Sequence, residues 1–147
     1  FRLRPAIRQL SLTAPSATAT TDSSGYKTIA GFVRGAKAWP KAKFVTVSGE
    51  TFQNSGSTIT QELAFTLAAG HEYLVKLTEA GLSAEEAART IRFSMAVSSN
   101  YFMEMAKFRA GRMLWANIVN AYTGGCARKM FTHAVTSGWN ITAYDPT

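Results

Sequence analysis

The sequence predicts an α/β fold in which parallel strands alternate with long helices. A strand with one apolar face is indicated over 91–97, where every second residue is large and apolar: Ile91, Phe93, Met95 and Val97. A long helix is indicated over 58–80, where leucines share one helical stripe: Leu63, Leu67, Leu74 and Leu77. Further strands over 44–48 and 129–135 and a second long helix over 101–122 give an alternating order, which is typical of a parallel sheet with right-handed crossovers.

The ends of these elements carry start and stop residues. Gly81 ends the first long helix, and Ser83 forms a capping box with Glu86 that opens a short helix. Residues 98–100, Ser-Ser-Asn, offer N-cap side chains to the second long helix, and Gly124 ends it. Large apolar side chains at helical spacing in the second long helix are expected in the core: Phe102, Met105, Phe108, Met113 and Trp115.

The first 25 residues differ in composition from the rest. A strand over 1–12 is suggested by scattered apolar residues, although Pro5 and three arginines argue against it. Residues 11–25 are almost entirely small or polar, which predicts a loop or disordered linker. A helix over 26–39 follows and is ended by Pro40. We therefore divide the chain into a basic, low-complexity segment over 1–25 and a folded α/β domain over 26–147.

The positive charge is concentrated in the N-terminal part of the chain. Residues 1–43 contain eight basic side chains and one acidic side chain, which accounts for the whole net charge of +7. Such a segment attracts nucleotide phosphates or nucleic acid, or it forms a solvated face or an interface with an acidic partner. We favour the face or interface, because no phosphate-binding glycine motif is present and charge runs report on association before chemistry.

Two strings carry a family resemblance: NYFMEMAKFRAGRMLWA at 100–116 and TSGW at 136–139. Together with residues 47–49 and 61–64, they resemble the acyl-CoA-binding barrel of the methylmalonyl-CoA mutase family, from about Lys43 to the C-terminus. The resemblance implies a TIM-type (β/α)8 barrel and an adenosylcobalamin-dependent isomerase that interconverts methylmalonyl-CoA and succinyl-CoA. A complete barrel needs about 250 residues. We therefore expect a fragment, roughly the second half of the barrel, in agreement with a chain that begins at Phe1.

In a barrel or an open parallel sheet, ligands bind at the carboxyl ends of the strands. Here those ends are small and polar: Ser48 with Gly49, residues 98–100, and residues 136–138. Without a family match, the same residues are ordinary loop and cap formers. By resemblance, the substrate-binding candidates are Ser48, Gln53, Arg92, His133 and Ser137.

Several of the family's site residues are replaced in this chain. Thr51 stands at the family's catalytic His position and cannot donate a proton as imidazole does, and Glu50 replaces an aromatic residue. Thr90 and Arg92 stand where catalytic chains carry Arg and Ser for CoA, and Val135 replaces a Gln. His133 matches a His of the pattern, with a hydrogen-bonded core histidine as the alternative. No residue of this chain is therefore predicted to be catalytic.

These replacements point to the noncatalytic small subunit of the family, a structural partner of a catalytic subunit. The alternatives are a catalytic acyl-CoA mutase fragment with altered substrate choice, and a basic α/β module that binds nucleotides or nucleic acid. We expect weak acyl-CoA binding at most, and no binding of nucleic acid. The cobalamin motif Asp-x-His-x-x-Gly is absent, so we expect no cofactor to be bound by this fragment although the whole enzyme uses adenosylcobalamin.

Composition limits the remaining possibilities. No apolar run approaches the roughly 20 residues that span a bilayer, and no signal-peptide pattern stands at the start. Two His residues and the lone Cys126 have no metal-ligand spacing, and a lone cysteine fits a reducing compartment. We predict a cytoplasmic protein, or a mitochondrial matrix protein in a eukaryote. Open sheet edges predict self-association, through inward residues near Phe44, Phe93 and Phe131.

Overall fold

Strands and helices alternate along the chain, as predicted. The computed structural model describes residues 12–13, 23–35, 42–125 and 129–141. In chain order the elements are β1 (Leu12–Thr13), α1 (Ser23–Gly35), β2 (Val45–Ser48), α2 (Glu50–Asn54), α3 (Ile59–Glu79), α4 (Ala84–Thr90), β3 (Ile91–Val97), α5 (Tyr101–Thr123), β4 (Thr132–Thr136) and a 3₁₀ turn (Gly138–Asn140).

The strands form one parallel sheet in the order β1-β2-β3-β4. Strand order equals chain order, whereas a doubly wound sheet reverses its order at a switch point. Succession without reversal is the order found in a (β/α)8 barrel. The parallel α/β fold is thus confirmed for this part of the chain, and the closed barrel stays a prediction.

The predicted central elements are confirmed to within one or two residues. The predicted capping box of Ser83 with Glu86 forms at the start of α4, and the structure adds a second one, Thr58 with Gln61, at the start of α3. A left-handed backbone at Gly124, with φ of 65°, ends α5. The five-residue helix α2 was not predicted, because one and a half turns are too short to show a periodic pattern.

Other boundaries differ from the predictions. Helix α1 already begins at Ser23, so the last residues of the predicted linker over 11–25 are helical. The last strand begins at Thr132 and not at Lys129. The predicted strand over 1–12, most of the linker, the end of the helix over 26–39 and Cys126 lie outside the described residues, apart from Leu12 in β1 and the residues of α1.

The helices pack on one face of the sheet. Alternate strand residues on that face are buried and apolar: Val45, Val47, Ile91, Phe93 and Met95. The Phe93 ring meets Trp115 of α5 edge to face, with ring centroids 4.7 Å apart. A Cβ at Gly70 of α3 would lie 2.6 Å from the Phe93 ring, so this position needs glycine for the helix to approach the sheet. Phe93 therefore faces the helices, and the interface predicted for the inward residues of the strands near it stays a prediction.

The predicted core face of α5 is only partly correct. Trp115 is buried and Phe108 is partly buried, but Phe102, Met105 and Met113 are exposed, with 78% of Phe102 and 63% of Met113 accessible. The buried side of α5 instead carries Glu104, Lys107, Gly111, Trp115 and Val119. Two charged residues take core positions because they bind each other and the sheet, an arrangement that hydrophobic spacing does not predict.

Strand β3 extends beyond its neighbour β2, and this leaves backbone groups without a strand partner. The β2 ladder ends where Ser48 pairs with Ser94, and Gly49 N–H donates to Ser94 O over 2.7 Å. The backbone N–H and C=O of Ala96 point to the same side of β3 as those of Ser94, but they lie beyond the last residue of β2. Its N–H donates to Glu62 Oε1 over 2.9 Å, and Lys107 Nζ donates to its C=O over 2.6 Å. Side chains from α3 and α5 thus replace the missing strand.

The two helices are joined by a buried cluster of three charges. Lys107 Nζ lies 2.6 Å from Glu62 Oε2 and 2.5 Å from Glu104 Oε2, and at most 3% of any of these side chains is exposed. Ser98 N–H and Oγ both donate to Glu104 Oε1, at 3.2 and 2.6 Å. Backbone and hydroxyl donors therefore offset the extra negative charge of two carboxylates around one ammonium group.

Helix α1 is held to the rest of the domain by a basic side chain. Arg34 Nη2 donates to Gly81 O over 2.8 Å and to Ala80 O over 3.4 Å, at the C-terminal end of α3. A cation is favourable there because the carbonyl groups of the last helical turn lack helical partners. Arg34, one charge of the basic N-terminal segment, therefore contributes to packing. None of the helices in the described part of the chain is long and apolar enough to span a membrane.

We predict that Lys107→Met destabilises the domain by about 3–5 kcal/mol, because it leaves two buried carboxylates without their cation. The free energy of unfolding in urea measures the loss. Lys76→Met is the matched control, since Lys76 is 40% exposed and pairs only with surface glutamates of α3. The control should lose at most about 1 kcal/mol. Equal losses in the two variants would show that the buried cluster does not stabilise the fold.

Acid should weaken the same cluster. Burial alone would raise the pKa of Glu104, but hydrogen bonds from Lys107 and Ser98 and the Lys107 charge hold the pKa below its ordinary value. The stabilisation is therefore complete above the unfolded pKa, about 4.3, and is lost as the pH falls through the lower folded value. Glu104→Gln should flatten the acid limb of unfolding free energy against pH. The exposed control Glu72→Gln should keep the parent's limb, and an unchanged limb in Glu104→Gln would contradict the assignment.

Candidate functional site

The sheet face opposite the helices is polar. Pairing aligns Ser48, Ser94 and His133 in one row across β2, β3 and β4, and Thr46 with Arg92 in the row below. These residues alternate with the apolar residues that face the helices, so their side chains lie on the other face. The row of Ser48 and Ser94 is at the carboxyl end of β2, where parallel α/β folds bind their ligands.

Helix α2 begins directly at this row, and Gly49 determines its position. Gly49 N–H is bonded to Ser94 O, and a Cβ on Gly49 would lie 2.3 Å from Thr66 Oγ1 of α3. The chain therefore passes between β3 and α3 at a point where only a hydrogen fits. This close approach places Glu50, the first residue of α2, over the polar face of the sheet.

Glu50 binds both serines of the row. Ser48 Oγ donates to Glu50 Oε1 over 3.3 Å, and Ser94 Oγ donates to Glu50 Oε2 over 3.2 Å. A serine hydroxyl has one hydrogen to donate. Thr51 Oγ1 lies 3.0 Å from Ser48 Oγ, and the Ser48 hydrogen is already directed at Glu50, so Thr51 is the donor in this contact. The sequence marked Glu50 only as a replacement, and its bond to Ser94, 44 residues away, could not be predicted from local pattern.

The guanidinium of Arg92 lies against the sheet. Its Nε and Nη2 donate to Thr46 Oγ1 at 3.2 and 3.0 Å, and the side chain is partly buried. Lys43 lies near the same row: its Nζ is 5.3 Å from the Phe131 ring centroid, at cation–π distance, and also donates to Arg89 O. Arg92 therefore stands one row below Glu50, and both cations bond to groups of the domain itself.

Gln53 and Ser137 are brought together from opposite ends of the domain. Ser137 Oγ donates to Gln53 Oε1 over 2.7 Å across 84 residues, and both side chains are buried. Trp139 Nε1 donates to Gln53 O over 3.2 Å, and Gly138 N–H donates to Asn54 Oδ1 over 3.1 Å. These bonds attach α2 to the chain that follows β4. The substrate-binding role of the two residues stays a prediction, while their structural role is clear.

His133 lies on β4, and the structure contradicts one of its two predicted alternatives. It is exposed, so the hydrogen-bonded core histidine is wrong. It pairs with Ser94 in the sheet register and therefore stands in the row of the site, on β4 at the edge of the described sheet. The structure thus gathers Ser48, Thr51, Glu50 and Ser94 at one point, with His133 and Arg92 on adjacent row positions.

Chemically, the gathered groups are one carboxylate and three hydroxyls. The carboxylate accepts hydrogen bonds and carries negative charge, and the hydroxyls of Ser48 and Ser94 donate to it. An aliphatic hydroxyl does not gain or lose a proton near neutral pH, as imidazole does. This arrangement can act on a ligand by charge and hydrogen bonding.

Comparison with known proteins gives a consistent family. The family model described as methylmalonyl-CoA mutase matches residues 17–147. The chain is 45% identical over 113 residues to the methylmalonyl-CoA mutase small subunit of Porphyromonas gingivalis, which covers 75% of this chain and 18% of that protein. It is 43% identical over 108 residues to the large subunit of Streptomyces virginiae, covering 72% and 15%.

The relatives include subunits of both kinds. The large subunit of Porphyromonas gingivalis is 39% identical over 109 residues, which is 73% of this chain and 15% of that protein. The chain therefore spans less than a fifth of the length of these relatives. The family model covers nearly the whole chain, and the relatives agree with it through both names. The chain belongs to the methylmalonyl-CoA mutase family.

Proposed function

We propose that this chain is part of a noncatalytic small subunit, which supports the interconversion of methylmalonyl-CoA and succinyl-CoA by a catalytic partner. The observation that carries the proposal is the environment of Thr51. By resemblance, Thr51 stands at the catalytic His position. Its hydroxyl donates a hydrogen bond to Ser48 Oγ, and Ser48 Oγ in turn donates a hydrogen bond to Glu50. The position that should supply a proton is thus part of a closed hydrogen-bond chain.

The CoA portion of a substrate also loses a partner. By resemblance, Arg92 stands where catalytic chains carry a serine, and its guanidinium donates twice to Thr46. A CoA phosphate would have to compete with Thr46 for these donors. We therefore propose weak, millimolar binding of CoA esters, corresponding to about −4 kcal/mol.

Adenosylcobalamin, which the resemblance implies for the whole enzyme, does not fit the described residues. A lower cobalt ligand needs a histidine with a free ring nitrogen in the family's Asp-x-His-x-x-Gly motif. His71 follows Gly70 in the middle of α3, and its Nε2 lies 2.6 Å from Tyr122 Oη. His133 stands in the polar row of the sheet, in a different sequence context. We assign no step of the reaction to these residues.

Surfaces of the domain support the proposed partner. Helix α5 exposes large apolar side chains that a soluble surface seldom groups on one helix: Tyr101, Phe102, Met103, Met105, Met113 and Leu114. Strand β4 lies at an edge of the described sheet, with Ala134 exposed. A further strand or a second subunit would cover these groups. We propose that the isolated chain self-associates for the same reason.

Two of the three basic side chains described within residues 1–43 do not support the alternative of a basic nucleic-acid module. Arg34 donates to the end of α3, and Lys43 contacts Arg89 O and the Phe131 ring. Both charges therefore contribute to the domain's own packing. The alternative of a catalytic fragment predicts that a subunit with Thr51 keeps its mutase activity, whereas our proposal predicts that this activity is lost. An experiment that exchanges segments between subunits separates the two.

Both subunits of Porphyromonas gingivalis align with this chain, so each can receive it in place of its own segment. We expect the small-subunit chimera, mixed with the native large subunit, to keep the parent's mutase rate. The large-subunit chimera, mixed with the native small subunit, should lose about a hundredfold or more, because it lacks the proton donor at Thr51. Succinyl-CoA formation from methylmalonyl-CoA with added adenosylcobalamin is measured.

Each chimera carries its control. Thr51→His in the large-subunit chimera should recover part of the lost rate, while the same change in the small-subunit chimera should alter nothing. A large-subunit chimera as active as its parent would contradict the proposal and favour the catalytic alternative. Assembly of every mixture is checked by gel filtration, so that loss of the complex is not mistaken for loss of chemistry.

Self-association is tested by light scattering after gel filtration. We expect the 15.9 kDa chain to elute as a dimer or larger species, because β4 has an open edge. Ala134→Lys places a charge on this edge and should favour the monomer. Ala68→Lys, at an exposed position of α3, is the control and should leave the dimer intact. A monodisperse monomer of the parent chain would show that the described edge is covered by the chain itself.

A further inference from the structure

The carboxylate of Glu50 occupies the place where a ligand would bind in a parallel α/β fold. It lies at the carboxyl end of β2, over the polar face of the sheet, and accepts from Ser48 Oγ and Ser94 Oγ. Each serine has a single hydroxyl hydrogen, and both hydrogens are directed at Glu50. The donors that a ligand carbonyl or carboxylate would use at this row are therefore already engaged.

The position of Glu50 is determined by the backbone. It is the first residue of α2, and it follows Gly49, whose N–H is bonded to Ser94 O and whose Cα hydrogens face Thr66 Oγ1. At its other end α2 is attached through Gln53 to Ser137. The short helix is thus fixed at both ends, and moving the carboxylate away requires a side-chain rotation that breaks two hydrogen bonds.

The charge of Glu50 is not cancelled by an adjacent cation. Among the described residues, ion pairs join Lys76 and Lys107 to other glutamates, and none joins Glu50 to Arg92 or His133. Arg92, one row below, donates to Thr46. An anionic group that enters the row of Ser48 and Ser94 would meet a like charge at close range, in surroundings of lower dielectric constant than water.

We propose that Glu50 is an internal occupant of the strand-end site, which closes the site to acyl groups that carry a carboxylate. The inference rests on the proposed function, since it gives the noncatalytic subunit a reason for not retaining methylmalonyl-CoA. Two effects act together: the carboxylate engages the hydroxyl donors, and its charge repels the free carboxylate of a dicarboxylic acyl group. The two effects have different ligand dependence and can be measured separately.

Two variants and two ligands separate them. Methylmalonyl-CoA carries an acyl carboxylate, and propionyl-CoA is the same thioester without it. Glu50→Gln removes the charge and keeps the shape, so methylmalonyl-CoA should bind about tenfold more tightly, with little change for propionyl-CoA. Glu50→Ala also releases the hydroxyls, so both esters should gain, propionyl-CoA by about threefold to tenfold. Dissociation constants are measured by calorimetry on the whole chain.

Glu72→Gln is the matched control. Glu72 is an exposed carboxylate on α3, so this change removes one negative charge, as Glu50→Gln does, without touching the site. It should leave both affinities unchanged. Circular dichroism and melting temperature confirm that each variant folds, and Glu50→Gln tests the charge effect even if Glu50→Ala does not fold.

The inference is overturned if Glu50→Gln gives methylmalonyl-CoA no gain over the parent, or if Glu72→Gln gives the same gain. Equal gains for the two esters in Glu50→Gln would also overturn it, because the effect would not depend on the acyl carboxylate. These outcomes concern binding only. A failure of the proposed function would be seen as full activity of the large-subunit chimera, so the two failures are distinguishable.

Discussion

The packing of this domain depends on how the unpaired end of β3 is satisfied. β3 runs past β2, and the N–H and C=O of Ala96 would be left buried without partners. An unpaired buried backbone group costs about as much as a lost hydrogen bond. Glu62 and Lys107 supply both partners, one from α3 and one from α5. The same contacts fix the spacing of the two long helices over the sheet, and Phe93, Gly70 and Trp115 then pack between them.

One face of the sheet contributes to the hydrophobic core, and the other carries the candidate site. The helix side is apolar and buried, with Phe93 and Met95 fully enclosed. The other side carries Ser48, Arg92 and Ser94, whose polar atoms bind side chains of the same face. A doubly wound sheet would need apolar residues on both faces. One polar face, together with a strand order that does not reverse, agrees with the predicted barrel segment.

The chain belongs to the mutase family, and its proposed role rests on its departures from the family's catalytic pattern. Relatives with the names of small and large subunits both align with this chain, at 45% and 39% identity, so overall identity does not separate the roles. The proposed difference lies in a few side chains over the polar face. Thr51 donates a hydrogen bond to Ser48, and the Glu50 carboxylate accepts hydrogen bonds from the hydroxyls of Ser48 and Ser94. The hydroxyl donors of this site already have acceptors within the site and need no ligand, which suits the proposed supporting subunit.

The sequence by itself determined the parallel α/β order, the capped ends of α3 and α4, and the family, because alternation, caps and motifs are local patterns. It did not determine which apolar residues of α5 are buried, since helical spacing is compatible with more than one face and Lys107 takes a core position through tertiary contacts with Glu62 of α3 and Ala96 of β3. Likewise, only the tertiary structure decided that Glu50 meets Ser94, because that contact joins residues 44 positions apart. Sheet register and the close approach at Gly49 bring them together, and neither is written in a local pattern.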